Sequence, residues 1–398
     1  MADDIAAPGI PGTAVPGTAV PGVSGAAALD SPGAAALDAP AAAARTPAVL
    51  IRYALGIVIG VVVLWLLFGR RSELVAAVRQ LGSASPQWIA AAIGAESASM
   101  LGYAVLQWRV LRLADAGSRV PLPGLFLLTL ANAAINCTVP GEPAVSSGYR
   151  YRYYRRRRAS SAAAGWTIFT ILIAQAVGMS FVLLTGVLVA LVATATAGGS
   201  HASPAGLGVT VLGLLIVLGS GAVLIRRDLV LGLATAVTGR LARRRREARG
   251  AQPRGLLTRI EATLARMREI PLSPGATAGV VAIATAVWLS DFCCLLCGFR
   301  AVHATIPWHG VLLAYGASVV AGSLPIVPGG LGIVEGSLAV VLVAYGAGRL
   351  PAVSAVLAFR MVNYWLAVAV GWVSVGLIAL QFRGSPAGRS AADADAAR

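Results

Sequence analysis

The chain has 398 residues, of which 57% are hydrophobic and only 12% charged, and its mean hydropathy is +0.78. A soluble globular domain keeps about a quarter of its residues charged, so this composition excludes that class. The net charge is +16 and every basic residue is arginine. We assign that charge to loops facing anionic headgroups rather than to nucleic acid, because it clusters between apolar runs.

Residues 1–46 are low in complexity. PGTAV occurs twice in tandem at 11–20, and GAAALD recurs at 25–30 and 33–38. A segment of this Pro, Gly and Ala content buries too little apolar surface to fold and is expected to be a disordered tail. Asp3 and Asp4 stand where a signal peptide carries positive charge, so none is expected. A similar tail is expected over 383–398, which leaves 47–382 as one membrane domain.

Six spans are predicted within it: 49–68, 87–108, 161–194, 206–225, 276–299 and 352–381. Each is long and apolar enough to cross a bilayer, which takes roughly 20 residues. Two more apolar regions are interrupted. TVPGEP (138–143) breaks the stretch 122–148, and LPIVPGG (324–330) breaks 309–346. Proline removes an amide donor and glycine permits a tight turn, so each break stops a helix and starts another. Such a break is tolerated at bilayer depth only where protein or a water-filled cavity covers the freed backbone groups.

Arginine sets the orientation. RYRYYRRRR (150–158) carries six arginines, and 226–270 carries twelve against four acids. Both 150–158 and the loop 226–272 are expected on the cytoplasmic side of a cell (plasma) membrane. Arg70, Arg71 and Arg79 then fall outside, which leaves the first span's orientation open. Within the large loop, RGLLTRIEATLARMREI (254–270) puts Leu256, Ile260, Leu264 and Met267 on one helical face. That pattern fits a helix lying at the membrane surface or one packed on the bundle.

The broken regions align. In 121–143 and 306–330, Gly124 matches Gly310, Asn132 matches Ser318, and VPG at 139–141 matches VPG at 327–329 after a two-residue insertion. Each copy reads as a long helix, a broken pair and another long helix. The first copy enters its pair from the cytoplasm and the second from outside. The expected fold is therefore an all-α polytopic membrane helix bundle with two Pro-Gly-broken, re-entrant helix pairs in an inverted repeat, a recurring transporter design.

Ionisable residues inside apolar runs are costly and are functional candidates by default. Glu96, Asp291, Glu335 and Arg360 qualify. Glu335 lies just beyond the second turn, and Arg360, in AVLAFRMVNYW, is its expected partner or a guanidinium fork for a lipid phosphate. Glu142 is the acid of the first turn. Nothing local names a partner for Glu96 or Asp291. The expected substrate-binding set is Glu335, Arg360, Pro328, Gly329, Gly330 and Gly332 from the second break, with Asn132, Pro140, Gly141 and Glu142 from the first. The restarted helix would offer free N–H groups to an anion.

Cys293, Cys294 and Cys297 form CCxxC, but inside an apolar span. We expect thiols packed between helices, with no metal and no cofactor. No Walker, HExxH or GxSxG motif occurs, and no enzymatic activity is expected.

LPIVPGGLGIVEGSL resembles the P-x-x-P-G-G-x-G-x-x-E signature of the lysylphosphatidylglycerol synthase transmembrane, or flippase-like, membrane proteins. AVLAFRMVNYW resembles that family's Arg-bearing last helix, and NAAINCTVPGEP its N-terminal Asn…Pro-x-Gly-Glu element. The resemblance covers about 48–382. It implies a membrane domain that moves, or helps to move, a lipid between leaflets, without the soluble synthase domain that aminoacylating members carry. Val145 stands where the family's first motif has a basic residue, which leaves a different substrate class or a substitute role for Arg150. The resulting expectation is a translocase of a phospholipid or other anionic amphiphile, its Arg-rich loops gripping anionic headgroups. Two alternatives stand beside it: a non-transporting scaffold for envelope-lipid enzymes, and a proton-coupled small-solute carrier.

Overall fold

The structure is a computed structural model that describes residues 79–115, 120–139, 142–196, 273–323 and 327–383, with isolated positions 76 and 211. The spans predicted at 49–68 and 206–225, the surface helix at 254–270 and both tails lie outside the described residues. Every regular element among those described is helical. The order is α1 (Pro86–Ala114), α2 (Leu122–Thr138), α3 (Glu142–Arg156), α4 (Ser161–Thr196), α5 (Pro274–Ala301), α6 (Val311–Gly322), a 3₁₀ turn (Pro328–Gly330), α7 (Ile333–Ala344), α8 (Arg349–Arg360), a π-helical segment (Met361–Leu366) and α9 (Ala367–Arg383).

Helix starts follow local chemistry. Pro86 opens α1, where a missing N–H costs nothing. At α5, Pro274 follows an N-cap whose hydroxyl, Ser273 Oγ, accepts from the Ala276 N–H at 3.2 Å. Four helices are long and apolar enough to cross a membrane: Pro86–Ala114, Ser161–Ala193, Pro274–Ala301 and Arg349–Phe382, the last taking in α8, the π segment and most of α9. These match four of the predicted spans. Large apolar side chains such as Leu172, Phe181, Leu188, Val192, Val373 and Leu380 face outward, as a lipid solvent requires.

The two broken regions form antiparallel hairpins. In the second, Gly310 at the start of α6 touches the ring of Tyr345 at the end of α7, and Gly322 at the end of α6 touches Val334 at the start of α7. Each limb has 12 residues, about 18 Å at 1.5 Å per residue, against a hydrocarbon core of about 30 Å. Neither limb can cross by itself. In the first hairpin, Gly124 near the start of α2 touches the hydroxyl of Tyr153 near the end of α3. Gly124 and Gly310, which align in the sequence, thus each receive a tyrosine from the returning limb. One feature departs from expectation: α3, EPAVSSGYRYRYYRR, is a polar limb of arginine and tyrosine rather than an apolar one.

Each hairpin is held by a helix distant from it in the chain, α4 on the second and α9 on the first. α1 packs along α5, and Ser99 Oγ bonds Val287 O while Ser290 Oγ bonds Ala95 O, so the two run antiparallel. α4 lies on α6, with Gly186 against Leu313 and Gly316 against Leu183. α9 lies on α2, with Gly371 against Leu130 and Ala134. One buried core accordingly gathers α4 to α8, including Leu183, Leu295, Phe299, Leu313 and Leu338. A second gathers α1 to α4 and α9, including Leu125, Leu128, Tyr153, Tyr154 and Ile378. Small residues at the crossings let helix backbones approach, the usual source of cohesion in lipid. Because a Cβ on Gly371 would run into the α2 backbone, Gly371→Leu is expected to lower stability by about 1–3 kcal/mol. Unfolding in mixed micelles is the measurement, and an unchanged midpoint would refute the close packing of α9 on α2.

Candidate functional site

The second break carries the signature LPIVPGGLGIVEGS, and its turn is built by conformation before chemistry. Pro328 opens the 3₁₀ turn, and the Gly330 N–H closes it on Val327 O at 3.0 Å. Gly329 sits at φ +62° and Gly332 at φ +81°, the left-handed region that side chains with a Cβ rarely adopt. Helix α7 restarts at Ile333, so Glu335 falls in its first turn. Its carboxylate folds back, and Oε2 accepts the Gly332 N–H at 2.6 Å. The exposed helix N-terminus expected for an anion is therefore already met, in part, by the chain's own carboxylate.

Arg360, at the end of α8, completes the cluster. Its Nε donates to Glu335 Oε1 at 2.5 Å and its Nη2 to Gly329 O at 3.2 Å, while the guanidinium lies 4.4 Å from the centre of the Tyr364 ring. Arg360 is 7% exposed and Glu335 24%, so water reaches the acid more than the base. The pair expected from sequence is formed. One guanidinium holds a backbone carbonyl of the turn and the acid that caps the next helix.

The junction also reaches the first break. The Tyr364 hydroxyl donates to Cys137 O at 2.9 Å. A Cβ built on Gly329 would lie 3.0 Å from Cys137 Cα and 2.5 Å from Tyr364 Cε2. Cys137 is two residues before Val139, where α2 ends. The tips of the two hairpins therefore abut.

The remaining predicted residues divide. Gly330 is buried against Gly322 and Val334, inside its own hairpin. Asn132 is buried on α2, but its Nδ2 bonds back to Leu128 O at 2.8 Å and its Oδ1 is without a partner. Glu142 opens α3, and its side chain, together with Pro140, Gly141 and the Pro328 side chain, lies outside what is described. Val145 is exposed; Arg150 donates to the Tyr103 hydroxyl at 2.7 Å and stacks on that ring. Of the CCxxC thiols, Cys294 is buried, Cys297 half-buried and Cys293 exposed. No group of three His, Cys, Asp or Glu among the described residues is placed to hold a metal ion.

Sequence reasoning found no partners for Glu96 and Asp291, and missed Tyr315 and Asn363 altogether. Glu96 on α1 and Asp291 on α5 are 6% and 7% exposed. Asn363, in the π segment, donates from Nδ2 to Asp291 Oδ1 at 2.6 Å and to Glu96 Oε2 at 3.3 Å. Tyr315 on α6 is fully buried and its hydroxyl donates to Asp291 Oδ2 at 2.5 Å. The usable signal was an amide and a phenol standing inside apolar runs, LAFRMVNYW and VLLAYGASV.

These elements define a class: a polytopic helical membrane protein whose polar groups are gathered where interrupted helices meet. The model of the lysylphosphatidylglycerol synthase TM region matches residues 53–371, and the chain belongs to that family. No curated protein sequence matches the chain.

Proposed function

We propose that the protein is a translocase that carries a phospholipid or other anionic amphiphile between the leaflets of the plasma membrane, and that it moves its substrate without altering it chemically. The observation that carries this reading is the Gly329–Glu335–Arg360–Tyr364 junction at the meeting point of two hairpin tips. A guanidinium buried between interrupted helices is a receptor for a phosphate. Glu335 occupies the place a headgroup phosphate would take. A headgroup entering the junction replaces one anion at Arg360 by another, so the buried cation is never left bare. On exit Glu335 returns.

The hairpins are read here as re-entrant and the two copies as an inverted repeat. The antiparallel course of α1 and α5, the tyrosine on each aligned glycine and the exchange of α4 onto α6 and α9 onto α2 support that reading. So does the short length of α6 and α7. The polar limb α3 makes the first hairpin the wetter of the two, and its arginines would steer anionic headgroups from the cytoplasmic side. Arg109 and Arg112 stand at the end of α1, and Arg109 lies against Gly279 near the start of α5. This agrees with an Arg-rich cytoplasmic end that also holds loop 226–272.

The test is lipid movement in vesicles. Purified protein in liposomes of phosphatidylglycerol and phosphatidylethanolamine, with a fluorescent reporter lipid, should move the reporter between leaflets. Glu335→Gln should slow that movement several-fold, because Arg360 then has no anion to return to and holds the headgroup. Movement no faster than in empty liposomes would end the translocase reading and favour a scaffold for envelope-lipid enzymes.

A further inference from the structure

Glu96, Asp291, Asn363 and Tyr315 take no part in the headgroup junction, yet they form a second polar cluster deep between α1, α5, α6 and the π segment. Both acids are more than nine-tenths buried. A single amide nitrogen, Asn363 Nδ2, reaches both of them. That shared donor, at 2.6 Å from Asp291 Oδ1 and 3.3 Å from Glu96 Oε2, puts the two carboxyl groups in one site. Asp291 is well supplied, with Oδ1 bonded to Asn363 and Oδ2 to Tyr315. Glu96 is not: its Oε1 is buried with no hydrogen-bond partner at all.

That pattern lacks one hydrogen atom. Two carboxylates have only acceptors and cannot bond to each other, whereas a carboxylic acid and a carboxylate can. Two buried acids sharing a site cannot both ionise without large cost, and one retains its proton. The surroundings offer no other relief. Helix α4 carries no titratable side chain, and α2 only Cys137. Facing the acids are the Tyr315 hydroxyl, the Cys294 thiol and the charge of Arg360. The last is already committed to Glu335. Asn363 presents N–H groups to the site, which suits oxygen anions and opposes a metal cation.

We propose that Glu96 and Asp291 form a proton-binding site, one proton being held between a Glu96 oxygen and an Asp291 oxygen at neutral pH. The site is wired to the headgroup junction through one short segment. Asn363, which clasps the acids, is next to Tyr364, which packs on Arg360 and bonds the tip of α2. A shift of that segment as a headgroup engages withdraws the Asn363 amide and changes the affinity for the proton. Resting on the translocase reading, this links the affinity for the proton to the binding of a headgroup.

The experiment reads the proton itself. Infrared spectra of the purified full chain in detergent, in water and in deuterium oxide, should show at neutral pH the carbonyl stretch of a protonated carboxylic acid that shifts on deuteration. Glu96→Gln and Asp291→Asn should each remove that band, and two variants guard against one of them failing to fold. Addition of phosphatidylglycerol should move or diminish it in the wild type. Absence of the band at neutral pH, or a band that both variants leave in place, would overturn the proposal. So would stabilisation by sodium ions with no band, which would assign a cation instead. A band that behaves as expected in a protein that moves no lipid supports the proton site and ends the translocase reading, so the two fail separately.

Discussion

Arg360→Ala is expected to destabilise the protein by about 3 kcal/mol and to reduce lipid movement to that of empty liposomes. Removing one partner of a buried ion pair costs about 3–5 kcal/mol, because the other charge is left without its counter-ion. The lower end applies here. Glu335 is 24% exposed and keeps the Gly332 N–H, so water and backbone share its charge. The same substitution frees Gly329 O and uncovers the Tyr364 ring. Glu335→Ala should cost a similar amount, since it leaves a guanidinium that is 7% exposed. The double variant should be less destabilised than the two singles together, with a coupling of about 0.5–3 kcal/mol for groups in one network. Arg360→Lys should fall between wild type and alanine, because an ammonium keeps the charge but lacks the fork that reaches both Glu335 and Gly329 O. Denaturation in mixed micelles, with circular dichroism as the readout, measures all four. Strict additivity would show that the pair is not a unit.

Gly329→Ala is expected to be as damaging to movement as the loss of Arg360, without removing a single charge. A left-handed backbone costs a residue with a Cβ about 1–2 kcal/mol. The new methyl would also meet Tyr364 Cε2 at 2.5 Å and the Cys137 backbone at 3.0 Å. Overpacking of this kind adds about 1–3 kcal/mol. Tyr364 can turn aside only by giving up its bond to Cys137 O, and the backbone contact cannot be relieved without parting the two hairpin tips. Gly336→Ala is the comparison. Gly336 lies one residue past Glu335, within α7, and nothing stands within 4 Å of its Cβ position. There alanine should stabilise by about 0.5–1 kcal/mol through the entropy of the unfolded chain. Equal stability of the two variants, read from thermal melts in detergent, would deny that the tips are in contact.

The broken helices and the Glu335–Arg360 pair were legible in the sequence because their signals are local. Proline and glycine inside an oily run mark a turn wherever they occur, and a lone acid and a lone base in neighbouring apolar runs have few partners to choose from. The chain then had only to bring together residues 25 positions apart. The clasp on Glu96 and Asp291 was not legible for the opposite reason. Asn363 stands 267 residues from Glu96 and 72 from Asp291, and no spacing rule reaches that far. The capping of α7 by Glu335 was not legible, because it depends on the helix restarting at Ile333, which puts the acid in its first turn. The polar limb α3 could have been read directly. Six arginines in nine residues mark one side of the membrane, but most of them lie in a helix, whose Tyr153 and Tyr154 are buried among α2 and its neighbours. The π segment has no sequence mark at all. MVNYWL contains neither proline nor glycine, and only the packing of α8 on α5 and of α9 on α2 fixes where the extra residue is absorbed.

That extra residue has a mechanical consequence. A wide turn is a place where a helix can be rewound without breaking, and such turns recur at working sites. Here it falls between two neighbours, one side chain gripping a pair of acids and the next touching both hairpin tips. Taking up or letting out a single residue of winding turns α9 against α8 by about 100° at 3.6 residues per turn. Two polar clusters far apart in the chain thus rest on one short stretch of backbone, and a change of winding there would displace the contacts of both.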